Sequence, residues 1–143
     1  ARGGQRVQAV GQVADVDGIG GPMRTITDHH DGHGLAESIR ITADEYDPNG
    51  GMASHQYEAW IGNSKVAEIR FQQGPRNVEG SRAGVLDSVL LAIVVDRMRA
   101  FNAGPFSASE NALVMTHAQE ALHWLKHRAD ERATRGVLGQ NTK

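Results

Sequence analysis

Three arginines near the C-terminal end of the chain have the residue type and spacing to bind an anion. Arg128, Arg132 and Arg135 fall at positions i, i+4 and i+7 of a predicted helix, so their guanidinium groups share one face. The planar guanidinium suits bidentate contacts with phosphate, and each charge-assisted bond contributes about 1.5–3 kcal/mol. The alternative is a solvated basic helix end, because Glu131 lies one turn before Arg135 and the helix dipole favours cations there. The spacing leaves both interpretations open.

A histidine-rich loop carries the second set of candidate ligands. Residues 28–34 read DHHDGHG, and histidine and aspartate are common ligands of borderline metals. These donors are consecutive, whereas metal sites usually draw on separated elements, and the sequence shows no second cluster with matching spacing. We therefore expect no metal, no cofactor and no catalytic residue. One alternative is a metal-dependent nucleotide hydrolase that uses four residues of this loop: His29, His30, Asp31 and His33. The other is a non-catalytic interaction hairpin whose basic end is solvated.

Length and composition limit the class of protein. With 143 residues the chain has room for one domain, and its net charge of −2 argues against binding of a nucleic acid polymer. The absence of cysteine excludes disulfides and thiolate metal sites. No apolar run reaches the roughly 18 residues that a membrane span needs. We expect a soluble, intracellular protein that does not bind membranes.

The elements that position these residues follow from hydrophobic periodicity. Residues 38–43 alternate between apolar and polar side chains, and the segments 55–61 and 65–72 flank a short Gly-Asn-Ser connection typical of a hairpin. The sequence thus predicts an α+β fold whose first half is a small antiparallel sheet of about three strands. We expect the downstream helices to cover its apolar face.

Two helices are predicted in the second half. Residues 84–101 keep helical spacing, and between residues 89 and 95 they are apolar on nearly every side, which indicates burial against the sheet and against a second helix or another subunit. The second helix is expected from Ser107 to Arg135, with Ser107 and Glu110 forming a capping box. The short link between the helices, residues 101–106, makes a helical hairpin. We expect the chain to oligomerise through these helices.

The domain organisation follows from the same patterns. Residues 1–22 show no sustained period and are predicted to be a disordered leader. A single compact domain is expected over 23–138, with its β part at 23–75 and its helical hairpin at 84–135. Residues 139–143 form a tail.

Several separated blocks of sequence resemble one protein family. The segments FNAGPF from Phe101, QEALHWL from Gln119 and the basic end at Arg135 resemble the helical hairpin of the phage anti-Thoeris sponge proteins, which the anti-CBASS cyclic-nucleotide sponges share. The segments DGHGL from Asp31, ITADE and AEIRFQ are similar to the sheet half of the anti-Thoeris group. The resemblance covers about residues 23–138.

This resemblance implies a phage anti-defence protein. It would bind glyco-cyclic ADP-ribose made by bacterial TIR-domain enzymes and hold it intact in the cytoplasm of the infected host, as a homodimer or a higher homo-oligomer such as a hexamer. Cyclic oligonucleotides are a further class of ligand in some relatives.

The resemblance also assigns four ligand-binding residues. Phe101 would stack on adenine, Asn111 would contact the ligand, and Arg128 and Arg132 would contact the pyrophosphate. On the residues alone, Phe101 closing the hairpin and Asn111 serving the helix start remain alternatives. The segment 74–84 departs from the family pattern.

Overall fold

A computed structural model describes residues 23–75 and 78–137. The predicted leader at 1–22 and the tail at 139–143 lie outside these residues. The chain forms four strands and then two helices, which confirms the predicted α+β fold. The elements are β1 (Arg24–Ile26), β2 (Ile39–Ala43), β3 (Gln56–Ile61), β4 (Ser64–Arg70), α1 (Asp87–Ala103) and α2 (Ser109–Thr134).

The sheet is antiparallel throughout, in the order β1-β2-β3-β4. The prediction of about three strands missed β1, which pairs with β2 in the register Arg24 to Ala43. Because β1 has only three residues, it is too short to show the alternation that revealed the others. The turn between β3 and β4 places Gly62 at φ 57°, a conformation that glycine adopts without strain.

The register gives the sheet one apolar face and one charged face. Ile41 pairs with Ala59, which pairs with Ala67, whereas the neighbouring row joins Glu58 to Glu68. The ammonium of Lys65 bridges those two carboxylates at 3.5 Å and 3.0 Å. The like charges of the two glutamates, which would repel each other across the strands, are thereby offset.

The prediction that the helices cover the sheet is wrong. Within the described ranges, contacts between elements run only between neighbouring strands and between α1 and α2. Ile61 accordingly keeps 47% of its surface exposed. The apolar face that seemed to require a helix is left without one in the single chain.

A short ladder connects the sheet to the helices. The amide of Gln72 donates to Val85 at 2.9 Å and the amide of Gln73 donates to Arg82 at 2.9 Å, so residues 71–73 and 82–85 run side by side. Gly84 is needed there, because a Cβ at that position would lie 2.6 Å from the carbonyl oxygen of Phe71. This ladder fixes where α1 leaves the sheet.

The two helices pack on each other as a hairpin. Val95 on α1 and Ala118 on α2 are buried, with 5% and 8% of their surfaces exposed. The remaining large apolar side chains of the hairpin are mostly open to solvent in the single chain. They include Leu86, Val89, Ile93, Val94, Leu113, Val114 and Trp124. Over the described residues, neither helix has the length and apolar character needed to cross a bilayer.

The predicted capping box at Ser107 is wrong. α2 begins at Ser109, and its cap residue, Ala108, makes no side-chain hydrogen bond. The turn is held instead by two asparagines, since Asn102 accepts a hydrogen bond from the amide of Ala108 at 3.3 Å and Asn111 donates to the carbonyl oxygen of Phe106 at 2.8 Å. Polar side chains from both helices thus replace the serine cap.

The loop at 28–37 is organised by Glu37. Its carboxylate accepts backbone N–H groups from Gly32, Gly34 and Asp31, the last two at 2.9 Å and 2.8 Å. These bonds, with that from Gly32 as the largest cause, lower the pKa of Glu37 from 4.5 to about 2. His29 meets the carbonyl oxygen of Ile39 at 2.6 Å and ties the loop to β2.

The lowered pKa of Glu37 predicts a pH-dependent effect on stability. An unfolded chain would bind a proton near pH 4.5, whereas the folded chain resists it down to about pH 2, so the carboxylate stabilises the fold above pH 4.5 and loses this contribution as the pH falls towards 2. Glu37→Gln should therefore lower the thermal midpoint at pH 7, and the difference from wild type should shrink at acidic pH. Glu45→Gln, at an exposed carboxylate, is the control. A Glu37 difference that stays constant from pH 7 to pH 2 would contradict this assignment.

Candidate functional site

A cavity of about 400 Å³ lies where the C-terminal half of α2 meets the loops at the end of the sheet. Its walls come from three parts of the chain: the loop that follows β2, the segment that follows β4, and α2. The lining residues are Asp47, Asn49, Gly50, His55, Gln72, Gln73, Gly74, Gly80, Arg128 and Arg132.

The helical wall contains two of the three predicted arginines. Arg128 and Arg132 lie one turn apart and both line the cavity. Among the described residues, no hydrogen bond or ion pair engages the side chain of Arg128. Arg132 donates to the carbonyl oxygen of Val137 at 3.1 Å, which anchors it to the helix end. Arg135 pairs with Glu131 at 2.6 Å and does not line the cavity.

The helix end that carries this pair is closed by a glycine. Gly136 adopts φ 73°, and the amide of Val137 donates to the carbonyl oxygen of Arg132 at 2.9 Å. This is a glycine-terminated helix end, in which the left-handed residue turns the chain back over the last turn. Both the carbonyl oxygen and the side chain of Arg132 are therefore hydrogen-bonded to the backbone of Val137.

The sheet-side wall carries a hydrogen-bonded polar cluster that we did not predict. The carboxylate of Asp47 accepts bonds from the amide of Asn49 at 2.9 Å, from Nε2 of His55 at 3.0 Å and from Nε2 of Gln73 at 3.0 Å. The bond from Asn49 is the largest cause of a lowered pKa at Asp47, and the bonds from His55 and Gln73 act in the same direction. Asp47 is thus held as an anion.

This cluster is largely shielded from water and tightly built. The side chains of His55 and Asp47 expose 15% and 19% of their surfaces. Gly50 lies directly against them, since a Cβ there would stand 2.6 Å from Nε2 of His55. In the sequence, the segment DPNGG at 47–51 shows only a turn, and nothing in its spacing points to His55 or Gln73. The three residues meet only in the folded chain.

The arrangement suits binding of an anion that also carries polar groups. Two guanidinium groups form one wall and a carboxylate with its hydrogen-bond donors forms another, so positive and negative side chains face the cavity from different walls. Among the described residues, the lining includes no Ser, Thr, Cys or Lys side chain. His55 is bonded to a carboxylate, as a general base often is, but the described part of the lining offers it no side-chain hydroxyl or thiol to activate.

Phe101 and Asn111 lie at the other end of the hairpin. Neither lines the cavity, and on α2 the separation of Asn111 from Arg128 corresponds to about 25 Å along the axis at about 1.5 Å per residue. Phe101 exposes 36% of its surface, and the guanidinium of Arg97 lies 5.4 Å from the centre of its ring. Within one chain, the structure does not bring these two residues together with the arginine pair.

The histidine-rich loop shows contacts of its own. Across the described ranges, no group of three or more His, Cys, Asp or Glu side chains is arranged to hold a metal ion. Asp31 accepts a bond from the amide of His33 at 2.9 Å, and Glu37 is occupied by the loop backbone. The lack of a metal remains a prediction.

Comparison with known proteins shows which family the second half of the chain resembles. Residues 63–129 match the family described as Acb2/Tad1, hairpin domain. This segment holds β4, α1, Phe101, Asn111 and Arg128, and it stops shortly before Arg132. A protein of Bacillus phage SBSphiJ7 named Thoeris anti-defense 1 is 40% identical over 79 residues, which is 55% of this chain and 55% of the relative.

These matches confirm the resemblance seen in the sequence. The chain spans about half the length of the curated relative that it matches. The matched part includes α1 and α2 as far as residue 129, and with them Arg128 of the helical wall. Through its helical hairpin, this chain is similar to the Acb2/Tad1 hairpin family and to a phage protein named Thoeris anti-defense 1.

Proposed function

We propose that this protein is a phage anti-defence sponge that binds glyco-cyclic ADP-ribose in the cytoplasm of the infected host and holds it without degrading it. Cyclic oligonucleotides are a second class of ligand under this proposal. The name of the phage relative and the hairpin family support the anti-defence role. The observation that carries the proposal is Arg128, which lies on a cavity wall beside Arg132 with its guanidinium unpaired among the described residues.

The cavity has the size and charge for such a ligand. Its volume of about 400 Å³ lies within the roughly 300–1,000 Å³ typical of small-molecule sites. Two arginines one turn apart can each contact a pyrophosphate, and charge-assisted bonds of this kind contribute about 1.5–3 kcal/mol each. A base stacked on an aromatic ring adds about 1–3 kcal/mol. Together these contacts approach the roughly 8 kcal/mol of micromolar binding.

In this proposal, Phe101 and Asn111 contact a ligand that is held by the arginines of a second copy of the chain. They are too far from Arg128 for one ligand to reach all three within a single chain. If two hairpins associate about a two-fold axis, the turn end of one lies beside the cavity of the other, and each dimer has two equivalent sites. The apolar side chains left exposed on both helices, such as Ile93 and Leu113, give the hairpin a surface for such an association.

Sequestration predicts binding without turnover. Glyco-cyclic ADP-ribose incubated with less than one equivalent of protein should be depleted from solution in proportion to the protein and should return unchanged after heat denaturation. The measurement is chromatography of the free and the released nucleotide. Conversion of several equivalents to a new product would mean that the protein is an enzyme.

Shared sites predict complementation between two defective chains. A Phe101→Ala chain and an Arg128→Ala/Arg132→Ala chain should each bind weakly, whereas mixed dimers should regain one intact site of two. Phe101 is preferred to Asn111 for this test because the amide of Asn111 also holds the inter-helix turn.

The readout is nucleotide bound after subunit exchange, and Arg99→Ala, at an exposed arginine of α1, is the control for removal of a positive charge. Sites confined to one chain would give no recovery in the mixture.

A further inference from the structure

The polar cluster of Asp47, His55 and Gln73 is not explained by phosphate binding. A carboxylate on the wall of a cavity that binds an anion repels that anion, and in a shielded site such repulsion is screened less than at an open surface. The structure nevertheless holds Asp47 charged through three N–H donors. The cluster therefore has a role other than attracting phosphate.

Several hydrogen-bond acceptors of the cluster have no partner among the described residues. In the tautomer in which Nε2 of His55 donates to Asp47, Nδ1 carries a lone pair, and this atom has no partner in the described part of the chain. The amide oxygen of Gln73 is likewise without one, since its amide nitrogen is the atom bonded to Asp47. The carboxylate of Asp47 accepts three of about four possible hydrogen bonds. The second N–H of the Gln73 amide remains a donor, so the unused hydrogen-bonding capacity of these three side chains consists mainly of acceptors.

Acceptors without a partner are complementary to a ligand that has O–H groups. Phosphodiester and pyrophosphate oxygens are acceptors at neutral pH, so they can satisfy the arginines but not the acceptors of this wall. Sugar hydroxyls can donate to a carboxylate, to an imidazole nitrogen or to an amide oxygen. A ligand with phosphate at one end and a ribose at the other would match both walls at once.

We propose that Asp47, His55 and Gln73 form a hydroxyl-recognition wall that binds a ribose of the ligand while Arg128 holds its phosphate, and that the charge of Asp47 selects against phosphate compounds without a sugar. This inference rests on the proposed function, because it places the ligand in the same cavity. It adds specificity: the site distinguishes a sugar pyrophosphate from pyrophosphate itself.

The test compares two probes on one variant. Asp47→Asn keeps the size of the side chain and removes its charge. Affinity for glyco-cyclic ADP-ribose should fall about tenfold, which is the effect of weakening one hydrogen bond to a charged group, whereas affinity for inorganic pyrophosphate should rise. The measurement is titration calorimetry with each probe.

Two further variants keep this test decisive. Gln73→Met removes the amide without changing charge, so it should weaken binding of glyco-cyclic ADP-ribose and leave pyrophosphate unaffected. Glu45→Gln removes an exposed carboxylate near the loop and should change neither affinity. If Asp47→Asn lowers both affinities together, the cluster only supports the fold and the inference is overturned.

The failure of this inference can be told apart from failure of the proposed function. If Arg128→Ala leaves both affinities unchanged, or wild type binds neither probe, the cavity is not the site and both proposals fall. If Arg128→Ala weakens both probes while Asp47→Asn leaves the preference between them unaltered, the phosphate site stands and the hydroxyl wall is wrong.

Discussion

The hydrogen-bonded ladder between residues 71–73 and 82–85 is the constraint on which the placement of Arg128 beside the Asp47 loop depends. α2 has 26 residues and is about 39 Å long at about 1.5 Å per residue, so a small change in its direction would move its far end by several ångströms. Neither helix packs against a strand among the described residues. The position of the arginines is therefore set by the ladder between residues 71–73 and 82–85, by the hairpin turn and by the packing of α1 on α2.

This arrangement explains why small residues occur where they do. Gly84 allows the ladder to close, and Gly50 allows the turn after β2 to lie against His55. Each removes a Cβ that would collide with its neighbour, and each lies in a segment that forms or positions a wall of the cavity. Few side chains of the described chain are fully buried, so the fold has no large core. The close contacts that require glycine lie where the sheet meets the helices and in the loop after β2.

The parts of this structure that the sequence predicted are those that local periodicity determines. The spacing of Arg128 and Arg132 follows from the helical repeat, and three strands follow from alternation, because both patterns need only neighbouring residues. The sheet-side wall escaped prediction because its residues come from two segments, the loop after β2 and the segment after β4, that meet only in the folded chain. The prediction that the helices cover the sheet was wrong for a related reason. The apolar face of a sheet shows that another surface can pack against it, but it does not show which element provides that surface.

The central claim is that the cavity between α2 and the sheet-side loops holds the phosphates of the ligand. A crystal structure of the full chain with glyco-cyclic ADP-ribose tests it most directly. The account predicts pyrophosphate density within hydrogen-bonding distance of Arg128, with a ribose against Asp47. Ligand density elsewhere on the protein, with this cavity empty, would contradict it.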